Sequence, residues 1–194
     1  MLKKKNIAFC GYHGWHDWYL SANLGSEKNL NNHLFENIST IGIPKNLKNT
    51  VFQFNYGKIE ELKKLIKKKK IGIVIMEFAR IKQMNLKFLK SVRKLCNQHR
   101  CILIFDECTS GFREHVGGLH MKYKIYPDIA TFGKAMGNGY PITGLVANEK
   151  LRKKSLKAFI SSTNWSDKIG FVAGVNTIKQ MKKLHSDRKI IKIN

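Results

Sequence analysis

The chain has 194 residues, 43% of them hydrophobic and 25% charged, a size and balance that suit about one soluble domain and exclude a disordered chain or a coiled coil. Lysine and arginine total 36 against 13 aspartates and glutamates, a formal net charge of +23. The longest apolar runs, such as Ile73–Met76, fall far short of the ~20 residues that a membrane span needs.

In chain order, the basic start Met1–Asn6 carries no apolar signal-peptide core, so a cytoplasmic protein is expected. Ile7–Cys10 is the first predicted strand and Val51–Phe54 the second. Residues 58–70 place Ile59, Leu62, Leu65 and Ile66 on one face of a helix. Its end is the basic run Lys67–Lys70, which complements the helix macrodipole. Then follow a strand at Ile71–Met76, a helix at 86–98 with Leu86, Leu89, Val92, Leu95 and Cys96 on one face, and a strand at Cys101–Phe105. Further strands are predicted at Ile129–Phe132 and Thr143–Ala147, a helix from about Lys168 to Leu184, and a basic tail at Ser186–Asn194.

Ile71–Met76 and Cys101–Phe105 are apolar on nearly every residue, as in strands buried on both faces. The expected class is therefore α/β, with a mostly parallel sheet flanked by helices. Ligands of open α/β sheets bind beyond the carboxyl ends of the strands. Attention falls on Gly11–His16 after the first strand, Glu77 after the third, Asp106–Glu107 after the fourth and Gly133–Lys134 after the fifth.

The positive charge invites a nucleic-acid hypothesis. Against it, the basic residues are spread along the chain, as in proteins of AT-rich genomes, and no recognition motif accompanies them. Cys10, Cys96, Cys101 and Cys108 form no CxxC pair, and no histidine cluster completes a zinc site. Free thiols and no metal are expected.

Asp106 directly ends an apolar strand, where a carboxylate can hold a metal, act as a general base or pair with a protonated heterocycle nitrogen. Lys134 lies between an apolar strand and a glycine-rich turn. Partial desolvation is expected there, which favours the neutral amine that forms Schiff bases.

Four segments then become specific: FCGYHGWHDWYLSANLG at 9–25, ILIFDECTSGFR at 102–113, PDIATFGKAMGNGYPITGLV at 127–146 and SSTNWSDKIG at 161–170. In this order they resemble the class III aminotransferases, pyridoxal-phosphate enzymes of fold type I, and most closely the glutamate-1-semialdehyde 2,1-aminomutase-like branch. The resemblance implies a PLP-transferase large domain over 1–185, with pyridoxal 5'-phosphate as cofactor. Lys134 would be the Schiff-base lysine through which an amino group is transferred. Asp106 would pair with the pyridinium nitrogen. Tyr12 would lie against the ring with His13 beside it, His13 having the alternative of a plain turn residue. Cys108 would pack on the other face of the ring. Thr163 resembles the residue that reaches the cofactor phosphate of a neighbouring subunit, implying a homodimer with a shared site. Glu77 resembles the strand-end glutamate on the substrate side, although Phe78 follows it where the family has proline. Arg113 suits an ion-pair or structural role.

The family's phosphate-binding Gly/Ser-rich loop lies upstream of the Gly-Tyr-His-Gly segment, and its small domain lies downstream. Neither is recognised in this sequence, so the expectation is a chain truncated at both ends. It would act as an aminotransferase or aminomutase on a small amino-group donor or acceptor. The alternatives are a non-catalytic fragment or one half of a split enzyme completed by a partner chain.

Overall fold

The computed structural model describes residues 4–79, 84–159, 161 and 166–193. They divide into two compact units, the first ending at Ile104 and the second starting at Phe105.

In the first unit, β1 (Asn6–Cys10) is the central strand. It pairs in parallel with β2 (Val51–Gln53), Ile7 opposite Val51, and with β3 (Ile71–Glu77), Ile7 opposite Ile73 and Cys10 opposite Met76. Parallel strands need both faces covered, and Ala8, Phe9, Ile71, Val74 and Met76 are all buried. After β1 come α1 (Asp17–Leu20) and a 3-10 turn at Ser21–Leu24. They deliver Tyr19 and Ala22 to a core with Phe9, Leu30 and Val51. The irregular stretch that follows is tied down by Asn23, which accepts from Leu30 N at 3.0 Å and donates to Ile38 O at 3.0 Å.

The two periodic segments are helices, as their spacing predicts. In α2 (Ile59–Lys68) Leu62 and Ile66 are buried, and Lys67 and Lys68 occupy the last turn. α3 (Leu86–His99) starts where Asn85 accepts a hydrogen bond from Phe88 N at 2.9 Å, a side-chain cap worth about 1 kcal/mol. It buries Phe88, Leu89, Val92, Leu95 and Cys96. β4 (Ile102–Asp106) crosses the boundary between the units.

In the second unit, Glu107 N donates to Thr131 O at 2.9 Å, tying the end of β4 to β5 (Ile129–Phe132). β6 (Gly144–Ala147) pairs antiparallel with β5, Ile129 opposite Ala147 and Phe132 opposite Gly144. This pair departs from the parallel pairing of β1 with β2 and β3. The helices here are α4 (Leu119–Lys122), α5 (Glu149–Ser155), α6 (Lys168–Leu184) and α7 (Ser186–Ile193). α6 matches its predicted span and is capped by Asp167, which accepts from Ile169 N at 2.9 Å. The segment read as a basic tail is helical from Ser186 to Ile193, because Ile190, Ile191 and Ile193 give it an apolar side that sequence composition alone had hidden. Among the described residues, no helix is long and apolar enough to cross a membrane.

Candidate active site

The first unit gathers Tyr12, His13 and Glu77 around the turn that leaves β1. Gly11 has φ +106, and a Cβ there would run into the Glu77 carboxylate. Both facts select glycine. That close approach lets Tyr12 N donate to Glu77 Oε2 at 3.0 Å, while Gly11 N donates to His33 Nδ1 at 3.1 Å and Tyr19 OH donates to Gly11 O at 2.8 Å. Glu77 is buried, and its carboxylate fixes the course of the turn. His13 is buried too, stacked on Trp18 and edge-on to Phe9 and Tyr19. Tyr12 is half-buried, with its ring edge-on to Trp15 and Tyr19.

The second unit gathers Asp106, Cys108 and Lys134. Asp106 Oδ1 accepts from Cys108 N at 3.1 Å and from Thr131 Oγ1 at 3.3 Å. Cys108 is half-buried, and burial, followed by the neighbouring Asp106 charge, pushes its thiol up to about 11. The sulfur therefore stays protonated and is a poor nucleophile.

Lys134 follows β5 after one residue, Gly133, and has φ 44. A lysine in the left-handed region costs about 1 kcal/mol, so the surrounding fold imposes this conformation. Its Nζ donates to Thr109 Oγ1 at 2.8 Å. The expected partial desolvation is not found: Lys134 is exposed. The reason is local, since the strand ends at Phe132 and the chain enters a 3-10 turn at the surface. Lys134 and Arg113 border an open cavity of about 690 Å³ that Ala135 and Asn138–Thr143 also line. Thr163 lies outside the described residues. No group of three or more His, Cys, Asp or Glu side chains able to hold a metal occurs among the described residues.

The sequence drew attention to Glu107 by its place after the fourth strand but gave it no role, and it singled out neither Thr109 nor His120 as a site residue. Glu107 is fully buried and lies directly after Asp106. Its Oε2 accepts from Leu119 N at 2.6 Å and Ser110 Oγ at 2.9 Å, and its Oε1 accepts from His120 N at 3.0 Å and pairs with His120 Nδ1. Burial alone would raise this carboxyl, but the hydrogen bonds from the His120 side chain and from the His120 and Leu119 backbone outweigh it and hold the group below its ordinary value. An acid directly after the strand-end Asp106 was the available signal, but its backbone partners at Leu119 and His120 lie more than ten residues away.

With this geometry in place, comparison with known proteins identifies the class. The model of the aminotransferase class-III family matches residues 2–194, and the chain belongs to that family. It is 35% identical over 189 residues to the 3-aminobutyryl-CoA aminotransferase of Cloacimonas acidaminovorans, covering 93% of this chain and 42% of that protein. It is 29% identical over 191 residues to a glutamate-1-semialdehyde 2,1-aminomutase of Saccharolobus islandicus, covering 93% of this chain and 43% of that one. Among solved structures, the PLP internal aldimine form of the FumI protein of Sphingopyxis sp. MTA144 shares the fold, with a TM-score of 0.73 at 23% identity over 92% of this chain and 42% of that one. The chain thus spans 42–43% of the length of these curated relatives.

Proposed function

We propose that this chain carries the cofactor-attachment part of a pyridoxal-phosphate-dependent aminotransferase or aminomutase, with Lys134 as the attachment residue. The observation that carries the reading is one cluster in the second unit. It combines a primary amine at Lys134, set just beyond a strand end, with a strand-end carboxylate at Asp106 held by two donors.

The donor set fits the cofactor. Asp106 offers a fixed negative charge suited to a protonated ring nitrogen. Lys134 offers an exposed amine, and Cys108 a protonated, weakly polar sulfur. When bound, pyridoxal phosphate supplies an electron sink for negative charge on the carbon next to the transferred nitrogen. In this reading Asp106 keeps the ring nitrogen protonated, and Lys134 Nζ carries the proton at the reacting carbon. The roles of Tyr12, His13, Glu77 and Thr163 rest on the family resemblance alone. A small amino compound is the proposed donor or acceptor, and a second copy or a complementary chain is the proposed partner.

Adding pyridoxal phosphate, reducing with borohydride and mapping peptides by mass tests the reading. A visible absorbance band and one pyridoxyl group on Lys134, both lost in Lys134→Ala, are expected. Adducts scattered over many lysines, or an unchanged spectrum in Lys134→Ala, would overturn it.

A further inference from the structure

We propose that Thr109 is a positioning residue for Lys134, a seat that holds the free amine of the lysine, and that Glu107 and Arg113 fix that seat. The proposal rests on Lys134 being the attachment residue and adds what keeps its amine in place when nothing is attached to it.

The contact is the 2.8 Å hydrogen bond from Lys134 Nζ to Thr109 Oγ1. Both residues are exposed, and a hydrogen bond between two freely moving exposed side chains adds little because water competes for each partner. Here each partner is anchored at its backbone. The Lys134 backbone is held at φ 44, which fixes where the side chain departs. Thr109 is held through its own carbonyl, which accepts from Arg113 Nε at 2.6 Å.

The segment that carries Thr109 is tied at its neck. The Glu107 carboxylate accepts from the backbone N–H groups of Leu119 and His120, from the Ser110 hydroxyl, and meets the His120 ring. A carboxylate offers about four acceptor positions, and these contacts use that number. Two further backbone bonds close the loop, Gly111 N to Glu107 O at 2.7 Å and Phe112 N to Gly117 O at 2.6 Å. Gly118 admits the neck because a Cβ there would run into the Glu107 carboxylate. A buried carboxylate thus closes residues 107–120 into a rigid loop, and the loop presents one hydroxyl to the lysine. The entropy of fixing the two groups is met during folding, so the hydrogen bond itself costs little to form.

This arrangement assigns separate tasks to adjacent residues. Asp106 offers its charge, Glu107 braces the loop, and Thr109 receives the amine. A lysine that releases and retakes a partner needs its free Nζ kept within reach, and an uncharged hydroxyl holds it without the full stabilisation that a carboxylate would give the ammonium.

The test compares the wild-type chain with Thr109→Val and Thr109→Ser. Trace acetic anhydride labels amines, and mass spectrometry reads Lys134 acetylation against added Nα-acetyllysine. Thr109→Val keeps the side-chain shape and removes the acceptor, and circular dichroism checks that its fold matches the wild type. The expected result is faster acetylation of Lys134 in Thr109→Val by roughly two- to fivefold, the equivalent of one net hydrogen bond, with Thr109→Ser returning to the wild-type rate. Arg113→Gln, which frees the Thr109 carbonyl, is expected to show part of the same increase. Equal rates in wild type and Thr109→Val, or no rescue by serine, would overturn the proposal. The cofactor is absent from this measurement, so it is decided separately from the site of pyridoxal phosphate attachment. Attachment elsewhere than Lys134 would sink the functional reading alone.

Discussion

Each unit of this chain turns a corner on a buried glutamate, and the two corners leave their neighbours in opposite conditions. In the first unit Glu77 takes Tyr12 N, and the residues beside it sink into an aromatic core, with His13 packed among Phe9, Trp18 and Tyr19. In the second unit Glu107 takes the N–H groups of Leu119 and His120, and the loop it braces leaves Thr109 and Lys134 at the surface. Buried carboxylates serve architecture in both units. The amine proposed for cofactor attachment, Lys134, lies among the exposed residues.

The strongest way to break this contrast is Glu107→Leu. It strands the N–H groups of Leu119 and His120, the Ser110 hydroxyl and the His120 ring. A loss of about 3–5 kcal/mol in denaturant unfolding is expected. The acid limb of stability carries the same signature. Folding lowers the Glu107 pKa from the ordinary 4.5, so the stability it contributes is present above pH 4.5 and is lost as pH falls toward the folded value. A Glu107→Gln chain is expected to show a flatter decline of unfolding free energy below that pH.

Gly11→Ala tests the other corner. A side chain there faces both the left-handed backbone and the Glu77 carboxylate, and a loss of about 2 kcal/mol is expected. If Gly11→Ala instead costs more than Glu107→Leu, the second corner is the softer brace and the contrast is reversed.

Smaller effects sharpen the picture at the site itself. With its thiol pushed up to about 11, Cys108 should react with iodoacetamide at pH 8 more slowly than free cysteine by roughly tenfold or more, although it is only half-buried. Glu149, by contrast, pairs with Arg152 and Lys153 on the outer face of α5. Glu149→Gln is expected to leave the denaturation midpoint unchanged, as for most exposed pairs.

Much of the fold was legible in the sequence because its signals are local. The fully apolar runs at β1, β3 and β4 and the one-sided periodicity of α2 and α3 each report their own burial. The antiparallel turn into β6 was not legible, since its strand direction follows from the Gly137–Thr143 connection rather than from its own residues. Within the candidate site, Asp106 and Lys134 drew attention because Asp106 closes one apolar run and Lys134 follows another after a single glycine. The Glu107 brace was not legible, because its meaning lies in backbone N–H groups at 119 and 120, which carry no side-chain signature. The exposure of Lys134 also escaped the local reading, since an apolar strand beside a lysine does not report how soon the chain returns to the surface.

The corners of this chain also bear on how it can change over generations. Arg100 ends α3 and His185 ends α6 in the left-handed conformation, and Lys70 and Lys124 turn the chain in the same way. Glycine takes that backbone without the crowding a Cβ brings. Each of these positions is a place where a single substitution widens the margin above the folding threshold. A lineage carrying such unused improvements has mutational headroom, and a destabilising change that alters specificity becomes tolerable once one of these corners has relaxed.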